Sequence, residues 1–412
     1  MWVIVLKKLA IIGAGASGLS CAIEARRGFD IDVTVFERAQ RAGRKIMASG
    51  NGRCNLTNDD LDIRYYHGAQ REFMLPAFEK YGLDSTLDFF LTLGVPVRRE
   101  GTRIYPYSLQ SGAVLDALRY ECAHLGVNII CEKEIKSIEK NGSGWLLDGA
   151  YFDAVVIACG GIASQDLGGT ESGYTLLEKL GHKRSELLPS IVQLRTDSAQ
   201  VKGLSGIKQQ AVASLFISGR FIDNSEDEVL FVDYGLSGPA IFQLSSRATR
   251  ALAKKEEVFI TLDIVPEYTF SDILSMLEKR IIDRPYISLE DFLTGLLHKR
   301  VGQMALKSAG IAPLSRQADT LNAKELRTIA SLLKKWRFDI VSVNSMKNAQ
   351  VTAGGIFTRD FDPNTMMSKK AAGVFACGEV LDIDGDCGGY NLQWAWSSGR
   401  LAGHSAAEFI SR

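Results

Sequence analysis

A glycine-rich turn near the start of the chain constrains the fold more than any other feature. The apolar run Lys8–Ile12 is followed by Gly13, Gly15 and Gly18 in the spacing G-x-G-x-x-G. Such glycines let a buried parallel strand turn tightly into a helix, so that the backbone approaches a pyrophosphate and the helix N-terminus offers it unpaired N–H groups. The segment therefore predicts a Rossmann-like α/β domain that binds a dinucleotide, with Ala16 and Ser17 beside the phosphates.

An acidic residue at the end of the next predicted strand narrows the choice of nucleotide. Glu37 closes the strand predicted at residues 33–37. A carboxylate at this position accepts hydrogen bonds from ribose hydroxyls and repels a 2′-phosphate. The pair of motifs therefore suits FAD or NAD rather than NADP.

A long polar loop after Glu37 favours FAD over NAD. Glycines, amides and basic groups alternate there, and such groups bind phosphate and the polar edge of a ring by charge-assisted and amide hydrogen bonds. A solvated basic loop is the alternative. The predicted cofactor-binding residues of this loop are Arg38, Gly43, Arg44, Lys45, Asn51 and Asn55.

Two strands in the middle of the chain are predicted to return to the same site. Residues 151–161 form an apolar run that ends in glycines, so Ala158, Cys159 and Gly160 are expected to meet the cofactor. A small buried thiol is the alternative role of Cys159. A strand predicted at residues 128–135 would set Ile135 against the adenine.

The far end of the chain carries a second glycine-rich segment. A strand predicted at residues 373–377 leads to a helix predicted from about Gln393 to about Ile410. The N-terminus of that helix would stabilise negative charge on a reduced flavin, and Glu379 would hold the ribityl hydroxyls. The predicted contacts of this segment are Gly378, Glu379, Gly389, Asn391 and Leu392.

Composition sets the class of protein. The 412 residues, 46% of them hydrophobic, predict two or three domains with sizeable cores. The 48 basic and 48 acidic residues balance, which argues against a general attraction to nucleic acid or anionic membrane. The apolar start Trp2–Leu6 is short and is followed by two lysines, so a soluble, cytoplasmic protein is expected. Seven cysteines without a C-x-x-C spacing and scattered histidines predict no metal site.

Changes of pattern along the chain predict a discontinuous domain. Residues 1–190 and 350–412 are predicted to form the FAD-binding domain, residues 191–267 a β-rich insert, and residues 268–349 the helical part of the insert. Residues 297–347 carry ten Lys or Arg against three acids. These basic residues could form a binding surface for NADPH, an acidic substrate or an RNA. The alternative is that they form a solvated helix face.

With these motifs in hand, the whole chain resembles a bacterial family of NAD(P)/FAD-dependent oxidoreductases, the BaiN or aminoacetone-oxidase-like flavoproteins. The resemblance implies an FAD domain built from both chain ends with an inserted β-barrel-like and helical subdomain. It fixes the cofactor and leaves open whether the substrate is an enone of the bile-acid or steroid kind or a small aminoketone. The segments that carry it are residues 14–19, 45–58, 105–108, 234–239, 352–355 and 389–395.

The predicted reaction is hydride transfer through the flavin to an electron-poor carbon. Arg103, Tyr105, Tyr107 and Tyr390 are the candidates for carbonyl polarisation and proton donation, with packing as the alternative role of the tyrosines. No second G-x-G-x-x-G follows a strand, so NADH or NADPH is expected to bind only transiently, in the cleft that also takes a small-molecule substrate. An oxidase of a small amine, an RNA-modifying enzyme and a non-catalytic flavin-binding protein remain the other classes.

Overall fold

The computed structural model describes residues 6–412, so Trp2–Val5 of the predicted apolar start lie outside the described residues. The chain divides into two compact units, one formed by the chain up to Pro189 together with Met346–Arg412, the other by Ser190–Ser345. No helix within residues 6–412 is long and apolar enough to cross a lipid bilayer.

The described residues contain both helices and strands throughout. The helices are α1 (Ala16–Gly28), α2 (Arg44–Ala48), α3 (Leu75–Tyr81), α4 (Leu83–Thr92), α5 (Ser111–His124), α6 (Ser172–Lys179), α7 (Ser198–Val201), α8 (Pro239–Ala253), α9 (Phe270–Asp283), α10 (Lys299–Ser308), α11 (Ala323–Lys334) and α12 (Tyr390–Ser411). The strands are β1 (Lys8–Ile12), β2 (Asp32–Phe36), β3 (Thr57–Asn58), β4 (Tyr66–His67), β5 (Val97–Glu100), β6 (Arg103–Pro106), β7 (Asn128–Ile130), β8 (Ile138–Asn141), β9 (Gly144–Leu147), β10 (Ala150–Phe152), β11 (Ala154–Ile157), β12 (Leu188–Ser190), β13 (Leu194–Thr196), β14 (Lys208–Ile217), β15 (Arg220–Val232), β16 (Gly235–Ser237), β17 (Val258–Asp263), β18 (Trp336–Val343), β19 (Val351–Ala353), β20 (Val374–Ala376) and β21 (Asp384–Gly385).

A parallel sheet forms the centre of the first unit, with strand order β20-β11-β1-β2-β7. Ile12 of β1 aligns with Phe36 of β2 and with Ile157 of β11, so three strands end at the same level. These strands are short apolar runs, as expected for strands buried on both faces. The order places β1 at the centre and confirms the predicted Rossmann-like α/β class. Ligands of such sheets bind outside the carboxyl ends of the strands.

The two ends of the chain pack against each other through helices α1 and α12. Gly399 and Gly403 of α12 lie against the backbone of α1, and a Cβ on either would collide with the carbonyl oxygens of Ser17 and Cys21, respectively. Close approach of this kind requires glycine. The contact therefore places the middle of α12 beside the first half of α1.

The second unit contains a closed barrel of order β13-β16-β15-β14-β17-β18. Its last strand, β18, lies within residues 268–349, the stretch predicted to be helical. Trp336, Phe338 and Ile340 of β18 are buried while their neighbours Arg337 and Asp339 are exposed, which is the two-residue period of a half-buried strand. Because β18 pairs with both β17 and β13, the helices α9–α11 are enclosed in sequence between two barrel strands.

Several element boundaries differ from the predicted ones. Strand β7 ends at Ile130, and Glu132 has a left-handed backbone (φ +58°), so Ile135 lies in the following loop rather than in the strand. The predicted strand at 151–161 is two strands, β10 and β11. Helix α12 begins at Tyr390, three residues before the predicted start, because Gly388 and Gly389 (φ +134° and +101°) turn the chain directly into it.

Candidate functional site

The turn between β1 and α1 has the geometry of a phosphate-binding site. Gly13 has φ +111°, and Cβ atoms on Gly13 and Gly18 would collide with the carbonyls of Ala158 and Gly13. Gly15, by contrast, has φ −86° and nothing within 4 Å of the position of a Cβ. No side chain caps α1, so the N–H groups of its first turn lack helical partners. Open space above an uncapped helix N-terminus fits a bound pyrophosphate.

Glu37 stands at the carboxyl end of β2, beside this turn. One carboxylate oxygen accepts the N–H of Ala14 at 3.0 Å and the other accepts the N–H of Ala39 at 2.7 Å. A carboxylate has about four lone-pair positions, so both oxygens can still accept hydroxyl protons. The two backbone bonds hold the carboxylate in the orientation that binding a ribose would require.

Lys45 and Glu379, which are 334 residues apart in the sequence, form an ion pair of 2.8 Å. The second oxygen of Glu379 accepts the N–H of Thr352 at 2.7 Å. Gly161 packs beneath them, because a Cβ there would lie 3.0 Å from Glu379 Oε1. Gly160 adjoins the same carboxylate. The structure thus brings together predicted residues from the start, middle and end of the chain.

Asn55 and Gly389 meet at the start of α12. The side-chain oxygen of Asn55 is buried without a hydrogen-bond partner, and it lies 3.0 Å from the position a Cβ on Gly389 would take. Buried acceptors are nearly always satisfied, so this oxygen calls for a donor that the protein itself does not supply. The first-turn N–H groups of α12, which Gly389 leaves uncapped, point to an acceptor at the same place. A flat, polar-edged ring with both donors and acceptors fits these atoms.

Other predicted cofactor residues bind the protein itself. Arg44 donates to the carbonyl of Asp166 at 2.6 Å, and Arg38 donates to the carbonyls of Gly168 and Gly169 at 3.4 and 3.5 Å. These two guanidinium groups hold the loop that follows β11. Asn391 closes the loop before α12, since its amide bonds both the N–H and the carbonyl of Gly385, at 2.8 and 2.7 Å.

The remaining predicted cofactor residues lie in or beside the same loops. Gly43 has φ +73° and Asn51 has φ +55°, so both shape the loop backbone. Burial raises the pKa of Cys159 to about 12, and its thiol donates to the carbonyl of Ile12 at 3.4 Å. This cysteine is therefore a protonated packing group at neutral pH. Ser17, Ala158 and Gly378 are buried, Ala16 is the first residue of α1, and Leu392 lies in the first turn of α12.

The four predicted catalytic residues are not brought together. Tyr105 is 3% exposed and lies under the guanidinium of Arg53, 4.5 Å from its ring centre. Tyr107 is 65% exposed, and Arg103 lies at the other end of β6. Arg103 and Tyr105 share one face of β6, whereas Tyr107 follows the last residue of the strand and lies in a turn.

Tyr390 is a packing residue of the α12 N-terminus. Its hydroxyl donates to the carbonyl of Asp60 at 3.2 Å and its ring stacks on Tyr65 with 4.6 Å between centroids. Burial raises the pKa of Tyr390 above its usual range. A hydroxyl that is engaged in this way and hard to ionise is poorly suited to donate a proton to a substrate.

Sequence reasoning missed a histidine–aspartate pair in the loop before α12. His67 Nε2 lies 2.7 Å from Asp386 Oδ1, and the side chain of Asp386 is 1% exposed while that of His67 is 18% exposed. The pairing of β4 with β21 creates this contact between residues 319 positions apart. The sequence did contain a signal for this pair, namely three closely spaced acids, Asp382, Asp384 and Asp386. Buried carboxylates require partners, so these acids indicate that a basic or polar side chain lies nearby. A partly exposed imidazole oriented by a buried carboxylate is a common proton donor.

Comparison with known proteins agrees with the fold. Residues 7–405 match the family model described as the HI0933-like protein Rossmann domain. The chain is 35% identical to the 3-dehydro-bile acid delta(4,6)-reductase of Clostridium scindens, over 98% of this chain and 100% of the relative. It is 29% identical to the ribosomal RNA dihydrouridine synthase of Escherichia coli, over 94% of this chain and 95% of the relative.

A solved structure shows the same fold across nearly the whole chain. The 3-ketosteroid delta1-dehydrogenase of Sterolibacterium denitrificans superposes with a TM-score of 0.52 at 11% identity, covering 97% of this chain and 99% of that one. At this identity the likeness concerns the fold alone.

Proposed function

This chain belongs to the HI0933-like family of Rossmann-domain proteins and is an oxidoreductase, and we propose that it uses bound FAD and NAD(P)H to reduce a C=C bond conjugated to a carbonyl. The observation that carries the proposal is the convergence of both chain ends on the carboxyl edge of the parallel sheet. There the uncapped start of α1, the carboxylate of Glu37, the Lys45–Glu379 pair and the unpartnered Asn55 oxygen supply the polar atoms for one elongated ligand.

Each of the residues named above would bind a different part of FAD. The turn from Gly13 to Gly18 would hold the pyrophosphate, and Glu37 the ribose of the adenosine half. Glu379, kept in place by Lys45, would accept from hydroxyls of the sugar-alcohol chain. Asn55 and the first turn of α12 would bind opposite polar atoms at the edge of the ring.

Bound FAD would supply a ring that accepts two electrons and a proton as hydride and gives them up again. The protein must then orient the acceptor, exclude water and provide the second proton. The start of α12 favours negative charge at the ring it faces. His67 is the proton donor in this proposal: Asp386 holds its Nε2, and a proton on Nδ1 would pass to the carbon next to the carbonyl.

The substrate class follows from what the two named relatives have in common. A bile-acid delta(4,6)-reductase, as its name says, reduces double bonds of a bile acid, and the 3-dehydro group in that name is a ketone. Reduction of a uridine to a dihydrouridine saturates the ring C=C bond that is conjugated to a carbonyl. Both reactions put hydride on the far carbon of a C=C–C=O system. A steroid-like enone is the first choice, because the relative that acts on a bile acid has the higher identity and the full coverage.

A uridine in RNA is the second candidate substrate. Two relatives named as ribosomal RNA dihydrouridine synthases, from Escherichia coli and Haemophilus influenzae, are 29% and 27% identical over 94% of this chain. The same residues would serve, since the acceptor has the same conjugated group. Turnover of a steroid enone and of an unmodified ribosomal RNA fragment, measured side by side with the purified protein, separates the two candidates.

Steady-state kinetics should show parallel lines in double-reciprocal plots of rate against enone at several NAD(P)H concentrations. We expect this ping-pong pattern because the chain carries one dinucleotide-binding turn, so the nicotinamide must leave the site before the second substrate enters. The measurement is the initial rate of NAD(P)H oxidation under nitrogen. Intersecting lines would mean that both substrates are bound at once and would contradict the proposed order.

A further inference from the structure

A groove on the second unit is lined by one face of helix α11 and has no role in the proposed redox chemistry. It is an open cavity of about 670 Å³ whose walls come from the starts and ends of α7, α9 and α10 as well as α11. Lys324, Arg327 and Ser331 line it at intervals of three and four residues, which is the repeat of one helix face, and Lys335, directly after the end of α11, lines it too. Every one of these side chains is exposed.

Three cations of this face have no partner within the described residues. The side chains of Lys324, Arg327 and Lys335 make no ion pair or hydrogen bond in residues 6–412. Neighbouring cations of the same basic segment are neutralised: Lys299 pairs with Asp291, Arg316 with Glu325, Lys334 with Asp263, and Arg337 with Glu257 and Asp339. Five cations of residues 297–347 have no ion pair within the described residues: three of them line the groove, and Arg300 and Lys307 are the other two.

The rest of the lining is suited to a polyanion with flat groups. No carboxylate lies in the wall, and Ser331 and Thr328 add hydroxyls between the cations. Phe270, at the start of α9, is 40% exposed at the rim. Lys324 and Lys335 are eleven positions apart in the sequence, which corresponds to about 16 Å along a helix axis. A single phosphate would reach one of these cations, whereas a chain of phosphates can reach all of them.

We propose that this groove binds the phosphodiester backbone of a single-stranded nucleic acid. The cations Lys324, Arg327 and Lys335 contact successive phosphates, the hydroxyl of Ser331 donates to a phosphate oxygen, and Phe270 stacks on a base. A single strand is favoured over a duplex because an exposed aromatic ring can stack only on a base that is free of its neighbours. The inference does not depend on the redox reaction proposed above, and it concerns residues that take no part in that reaction.

Fluorescence anisotropy with the full-length protein tests the site. The probe is a labelled single-stranded RNA of twelve nucleotides, titrated from low to moderate salt. Replacing Lys324, Arg327 and Lys335 together by glutamine should weaken binding at least tenfold. Because each cation that contacts a single strand contributes about 0.7 to the slope of log K against log salt, the slope should fall in magnitude by about 2.

A charge-matched variant separates the site from general attraction. Arg220, Lys254 and Lys255 are exposed and have no ion pair within the described residues, so replacing all three by glutamine removes the same charge elsewhere on the second unit. This control should bind RNA within twofold of the unchanged protein. Both variants should keep the unchanged protein's rate of enone reduction, which shows that they are folded.

Four results would overturn the proposal. The first is that the single strand does not bind at low salt, and the second is that the two triple variants lose binding equally. The third is that the matching duplex binds more tightly than the single strand. The fourth is that millimolar NADPH or inorganic phosphate displaces the probe completely. The last result would assign the groove to a small phosphate-bearing ligand. If neither the unchanged protein nor the two variants reduce the enone, while RNA binding follows the pattern expected above, the result would count against the redox proposal alone.

Discussion

Replacing Gly15 with leucine should give a folded protein that no longer retains FAD. The backbone of Gly15 has φ −86°, which any residue adopts, and the Cβ position meets no protein atom within 4 Å. The leucine side chain would instead fill the space above the start of α1, where the pyrophosphate is proposed to lie. We expect the affinity for FAD to fall at least about 100-fold, or about 2.7 kcal/mol. Equilibrium titration of the cofactor-free protein with FAD measures the change.

Gly28, at the far end of the same helix, provides the matched control. A Cβ there also meets no atom within 4 Å, and the residue is exposed. Gly28→Leu should bind FAD as the unchanged protein does. In denaturant unfolding without FAD, both variants should stay within about 1 kcal/mol of the unchanged protein. Full FAD occupancy in Gly15→Leu would show that the turn is not the phosphate site.

Replacing His67 with glutamine should lower the turnover number about 100-fold while FAD stays bound. General acid catalysis by a positioned side chain contributes about 10²–10⁴-fold, and glutamine keeps a polar group beside Asp386 without a transferable proton. The rate at which NAD(P)H reduces the flavin should not change, because that step needs no proton from His67. Stopped-flow absorbance in the two half-reactions, each measured separately, gives both rates.

Two further variants test whether the effect is specific to His67 and depends on its contact with Asp386. Asp386→Asn should reduce turnover less than His67→Gln, since Asp386 acts by positioning the imidazole through the 2.7 Å contact. His124→Gln, on the exposed end of α5, should change neither half-reaction. An unchanged turnover number in His67→Gln would remove the residue from the mechanism and return attention to Tyr105.

The features that were predictable from sequence are local ones. The turn from Gly13 to Gly18 and the position of Glu37 are set by residues near one another in the chain, and the strand, turn and helix form where their pattern indicates. The closeness of Gly378 and Glu379 to that turn was also predictable, because carboxyl ends of parallel strands share one edge of a sheet.

The features that were missed depend on contacts between distant residues. Strands β4 and β21 have two residues each, too few to leave a periodic pattern, and only their pairing brings His67 to Asp386. The carbonyls that Arg38 and Arg44 bind belong to a loop more than 120 residues away, so these arginines looked free to bind phosphate. Strand β18 likewise follows a long helical stretch and gains its role by closing the barrel.

Anaerobic mixing of the FAD-loaded protein with NADH and with NADPH, followed by a steroid enone, tests the central claim most directly. The readout is the flavin absorbance at about 450 nm. We predict that one nicotinamide bleaches this band within seconds, that air restores it slowly, and that the enone restores it at once under nitrogen. Failure of both nicotinamides to bleach the band, with bleaching by a small aminoketone instead, would contradict the proposed reductase and identify an oxidase.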